Sequence, residues 1–139
     1  MPKVRVSKES VKAPEAHPEG IYQYRLAGFK PQLSKDKGSI NLNPQMMIIN
    51  HPTLNGKHIF LNLNTKAGWI LKAFVENLGL KMVEVGEDLD MPGEFTGPED
   101  NPKNWKYTGP LLGRTGRVKV IQADNTRGGI KNEIEEWLK

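Results

Sequence analysis

The chain has 139 residues, with three tryptophans, three tyrosines, four phenylalanines and no cysteine, which suits one domain with a modest core and excludes a disulfide framework, a thiolate nucleophile and cysteine-bound zinc. Its 20 Lys/Arg and 16 Asp/Glu are segregated: residues 1–81 carry 12 basic and 5 acidic groups, residues 82–102 carry 7 acidic and none basic, and residues 103–139 carry 8 and 4. The +11 outside the acidic segment attracts polyanions over a Debye length, with nucleic acid the commonest in cytoplasm, unless that segment folds back to neutralise it.

Residues 1–19 mix Lys, Glu, Ser and Pro with few large apolar groups, which predicts a flexible basic arm ahead of a domain spanning 20–139. From Gly20, the alternation of Tyr22, Tyr24 and Leu26 with Gln23, Arg25 and Ala27 predicts a half-buried strand, with Gly28 marking a bulge or bend near its end. Residues 31–39, with Lys35-Asp36-Lys37-Gly38, read as a basic turn. Residues 40–50 read as a second strand interrupted near Pro44, and Asn55-Gly56 signals the hairpin that follows. In the third strand, 57–63, Ile59, Leu61 and Leu63 make an apolar face while His58, Phe60 and Asn62 point the other way. Phe60 among polar neighbours suits stacking on an unpaired base, or it is covered by a loop or by the arm.

The period then switches. Ala67, Leu71, Phe74 and Leu78, with Ile70 and Val75 alongside, predict an amphipathic helix over 66–78, capped by Asn64 or Thr65 and ended by Gly79. Trp69 and Met82 read as packing. Residues 83–110 show no sustained period and hold the acidic cluster Glu84, Glu87, Asp88, Asp90, Glu94, Glu99 and Asp100, which predicts a Pro/Gly-rich excursion that masks the basic face or recruits a partner. Trp105 and Tyr107 beside Lys103 and Lys106 fit either a nucleic-acid contact or an anchor for this excursion. Residues 113–123 resume a strand with Arg117 and Lys119 on its outer face, residues 125–129 form a turn, and residues 130–138 fit a strand or a short helix equally.

Three strands, a helix, a long connection and two strands is the element order of a mainly β, five-stranded OB-fold barrel with its helix between strands 3 and 4. Its binding groove would lie on strands 2 and 3 and on the loops that here carry Lys30, Lys35, Lys37 and Arg127. Gly20-Ile21-Tyr22, Lys35-Asp36-Lys37-Gly38, Trp69-Ile70-Leu71-Lys72-Ala73-Phe74 running to Leu78-Gly79-Leu80, Gly113-Arg114-Thr115-Gly116-Arg117-Val118-Lys119-Val120 and Asn132-Glu133-Ile134-Glu135-Glu136-Trp137-Leu138 together span 20–138. Across that span the chain resembles a family of phage-encoded OB-fold proteins found among replication and recombination genes, including single-stranded DNA-binding proteins. The resemblance implies non-sequence-specific binding of single-stranded DNA in phage DNA metabolism, inside a bacterial host.

No enzyme is expected. His17, His51 and His58 show no metal-ligand spacing with carboxylates, no phosphate loop occurs, and the acidic excursion offers no rigid element to fix a metal, so neither cofactor nor metal is anticipated. The expected site has Lys30, Lys35, Lys37, Arg117, Lys119 and Arg127 on phosphates and Phe60, supported by Tyr24 or Trp105, on bases, with His58 and Asn62 beside it. Single-stranded DNA is the expected partner, with phage or host replication and recombination proteins as further ones. The alternatives are an OB-fold protein-interaction module and an RNA-binding protein. No apolar run nears the roughly 18 residues of a membrane span and no apolar signal core follows Met1, so a cytoplasmic location is expected.

Overall fold

A computed structural model describes residues 16–34, 38–124 and 129–138; most of the expected arm (1–15), Lys35 to Lys37 of the expected basic turn, residues 125–128 of the second expected turn and Lys139 lie outside the described residues. Strand β1 (Gly20–Phe29) buries Tyr22, Tyr24 and Leu26 and exposes Ile21, Arg25 and Ala27, the two-residue period its sequence shows. At Gly28 the register against the next long strand slips, and a Cβ there would stand 2.8 Å from the Gln45 side-chain oxygen. The short pair β2 (Gln32–Leu33) and β3 (Ile40–Asn41) follows. The chain then breaks at Asn43, whose φ of 45° precedes Pro44, before β4 (Pro44–Ile49). A turn with His51 Nδ1 accepting from the Thr53 and Leu54 amides, and with Gly56 at φ 84°, leads into β5 (His58–Ile59).

Helix α1 (Gly68–Asn77) turns Phe74 and Val75 into the core. It begins two residues later than its sequence pattern suggests, and neither expected cap serves it. Asn64 Oδ1 accepts from the Lys66 amide instead, and Thr65 Oγ1 accepts from the Ile40 amide. At its other end Gly79, at φ 85°, closes the helix as expected, with the Gly79 amide donating to the Glu76 carbonyl and the Leu80 amide to Val75.

The stretch expected to lack periodicity contains two small hairpins: β6 (Val83–Val85) with β7 (Asp88–Asp90), and β8 (Glu94–Thr96) with β9 (Lys106–Thr108). Phe95 and Tyr107 face each other across the second and pack on Phe29 of β1, with centroid separations of 5.4 and 5.0 Å from that ring. Strands β10 (Thr115–Asp124) and β11 (Ile130–Leu138) complete the chain, so its last segment is a strand. Its ambiguity has a cause. The β10–β11 register slips between Lys119 and Val120, so Ile134 pairs with Val120 and Trp137 with Val118, and two inward residues fall three apart as they would on a helix.

Among the described residues the long strands β1, β4, β10 and β11 and the two-residue β5 form one antiparallel five-stranded sheet in the order β11-β10-β1-β4-β5. Edges β5 and β11 are not hydrogen-bonded to each other, so the sheet is open where a closed barrel was expected. The core joins Tyr22, Tyr24 and Leu26 of β1, Met46 and Ile48 of β4, Val118 and Val120 of β10 and Phe74 and Val75 of α1. Asn77 fastens the helix to the sheet: its Nδ2 donates to the Leu138 carbonyl at 2.7 Å and the Arg117 carbonyl at 3.1 Å, and its Oδ1 accepts from the Tyr24 hydroxyl at 2.7 Å. No helix among the described residues is long and apolar enough to cross a membrane.

Candidate functional site

The two free sheet edges border a groove of about 830 Å3. On one side stand His58 and the residues that follow β5, where the strand parity continues: Ile59 and Leu63 are buried, while Phe60 and Asn62 are exposed. On the other stand Ile130 to Ile134 and Trp137 of β11, and the first turn of α1 adds Trp69 and Ile70. Lys30, Gln32, Asn43 and Gln45 line a further wall. Trp137 is half-buried against Phe74 at 5.9 Å, so it belongs to the packing beneath the groove.

Two rings stand out. Phe60 is 73 % exposed and Trp69 76 %, the two highest values among the exposed large hydrophobic residues, and both line this groove. Large aromatic faces held in water beside carboxamides that both donate and accept hydrogen bonds make a surface matched to a flat, polar-edged ring. The positive charges on the groove are Lys30 and Lys131, the latter 3.2 Å from Glu133. His17 spans the opening. Its amide donates to Asn132 Oδ1 at 2.8 Å, its carbonyl accepts from Asn132 Nδ2 at 2.9 Å and Gln122 Nε2 at 3.0 Å, and its ring Nε2 lies 2.9 Å from the His58 carbonyl, tying β10 and β11 to β5.

Of the residues expected at a binding site, Lys30, His58, Phe60 and Asn62 are brought together in the groove. Tyr24 is not available for stacking: it is fully buried, its hydroxyl is held by Asn77, and burial pushes its phenol far above the usual tyrosine range. Trp105 is an anchor of the excursion. Its indole N–H donates to the Pro98 carbonyl at 2.6 Å and its ring lies 5.9 Å from Phe95, away from the groove lining. Arg117 and Lys119 are exposed on β10 outside the groove lining, with Lys119 3.2 Å from Glu135. Lys35, Lys37 and Arg127 lie outside the described residues. No residue of 83–110 lines the groove, so the acidic excursion does not cover it.

Among the groove residues that sequence reasoning missed are Trp69 and Lys131, together with His17, Gln45 and Asn132. A signal for Trp69 existed: it precedes Phe74 by five positions, or about 140° around a helix, which sets it well away from the buried stripe. Lys131 carried none, because its segment fitted strand and helix alike. Among the described residues no group of three or more His, Asp or Glu side chains is placed to hold a metal ion. No protein-family model matches the chain, and no curated protein matches it significantly.

Proposed function

We propose that the protein binds single-stranded DNA without sequence preference, protecting it passively during phage replication or recombination, with no bond made or broken. The single observation that carries this is Phe60, held 73 % exposed on a groove with Asn62, His58 and Lys30 around it. Base stacking on such a ring tolerates any sequence because every base has a π-face, and cations beside it neutralise phosphates. The five-stranded sheet, with its helix between the third and fourth of its strands in chain order, supports an OB-type barrel left open between β5 and β11, and OB barrels are themselves partly open. The phage setting and the preference for DNA over RNA rest on the family resemblance. The chain's excess positive charge outside 82–102 supports a polyanionic ligand.

The test is an anisotropy titration of labelled oligothymidylate. Phe60→Ala is expected to weaken binding by about 1–3 kcal/mol, and a hairpin duplex of the same length should bind much more weakly than the single strand. An unchanged affinity in the variant would remove Phe60 from the site. A second reading, recruitment of a partner protein, is favoured by the β6–β7 ribbon, where Val83, Val85 and Leu89 are each about half exposed among Glu84, Glu87, Asp88 and Asp90. Absence of oligonucleotide binding at low salt would favour it.

A further inference from the structure

We infer that the groove takes two successive unpaired bases, one on Phe60 and one on Trp69, which makes the first turn of α1 part of the interface. The inference rests on the single-strand reading of the groove and adds its smallest recognised unit. Trp69 is 76 % exposed although it is the largest side chain on an amphipathic helix whose apolar face is satisfied by Phe74 and Val75. Neither Trp69 nor Phe60 takes part in a ring pair, whereas every other Phe, Tyr and Trp of the described residues does, except Tyr24, which is fully buried. Each therefore presents a face to the groove with no ring of the protein upon it.

The two rings come from different elements and do not stack on each other, which separates two platforms from one sandwich. A base clamped between both rings would couple them, whereas neighbouring bases stacked one to a ring load them independently. Recognition modules that stack two or three bases on a sheet's aromatic residues show that such a unit suffices to hold a strand. Asn62 and Gln45 line the same groove and offer both donors and acceptors to base edges, which accommodates any base.

The experiment is a double-mutant cycle on oligothymidylate binding with Phe60→Ala, Trp69→Ala, the pair together, and Trp69→Phe, each checked for an unchanged thermal melt. Each alanine variant is expected to lose roughly 5- to 140-fold in affinity, the pair to lose the product of the two, and Trp69→Phe to retain most binding. A loss in Phe60→Ala alone would overturn the two-base unit and leave the groove reading standing. A pair whose loss falls well short of the product would also overturn it, in favour of one base held by both rings. A wild-type protein that does not bind the oligonucleotide at low salt would overturn both.

Discussion

Asn77 joins three elements through one carboxamide, holding the carbonyls of Arg117 and Leu138 and the hydroxyl of Tyr24 at the end of α1. Gly116 lies so close that a Cβ there would collide with the Asn77 side chain, and would come within 2.8 Å of the Tyr24 hydroxyl. Asn77→Ala removes all three partners at once. Each part-buried group left without a partner costs about 1–3 kcal/mol where water does not replace it, and some replacement is expected near the exposed Arg117 carbonyl. The variant should therefore lose about 2–4 kcal/mol in a urea melt, a loss no exposed polar residue would give. A change below 0.5 kcal/mol, roughly the scatter of surface substitutions, would show that the clasp is idle. Residue parity made part of this legible: Tyr22, Tyr24 and Leu26 alternate inward, and the same alternation that places Phe60 outside places Tyr24 inside, against its expected role on bases. Asn77 itself was invisible, since a polar residue at a helix end looks alike whether it meets water or three partners on neighbouring strands.

At the scale of elements, long periodic segments were legible and short ones were not. Strand β1, its bulge at Gly28, the break before Pro44 and the Gly79 helix end follow from local chemistry that a sequence displays. The hairpins inside 83–110 did not, because three-residue strands are too short to establish a period and are fixed by tertiary contacts instead. Gly93 and Gly109 are the example: the Tyr107 ring packs onto both, and Gly93 also sits at φ 85°, so the β8–β9 hairpin depends on two missing side chains. The β6–β7 ribbon has no such anchoring, with every residue of both strands exposed. Replacing residues 83–90 by a short Gly/Ser turn should leave the melting temperature within a few degrees, since the pairing of Val83 with Asp90 shows that the two ends of the replaced segment already lie side by side. The same replacement removes Glu84, Glu87, Asp88 and Asp90, so oligonucleotide affinity should rise at low salt and converge with wild type above about 0.15 M, where the Debye length is ~8 Å. A gain that persists undiminished at high salt would mean that the ribbon blocks the groove physically, against its absence from the groove lining.

Over the whole molecule, an open sheet has to be held in its curl by something other than a closing ladder, and the three tyrosines sit at the joints that do so. Tyr22 lies beneath the strap that crosses the groove, its hydroxyl donating to the Pro18 carbonyl and its ring stacked on His51 at 5.4 Å. Tyr24 meets the helix through Asn77, and Tyr107 seals the β8–β9 hairpin by donating to the Pro92 carbonyl at 2.6 Å. Burial raises the pKa of all three above the ordinary tyrosine value of about 10. An unfolded tyrosine loses its proton near that value while the folded ones keep theirs, so above it the unfolded state binds fewer protons than the native state. Their contribution is thus fully present below about pH 10 and is lost as pH climbs from there toward the raised native values. The expected outcome is a melting temperature to which the tyrosines bring no slope in the neutral range and a steep decline beyond about pH 10. Tyrosinate absorbance at 295 nm should then rise together with the collapse of the near-ultraviolet circular dichroism, since the chain has only these three tyrosines to report. Absorbance rising to completion near pH 10 with the dichroism intact would show the phenols in free exchange with water, and the joints they are credited with holding would have to be held by their neighbours.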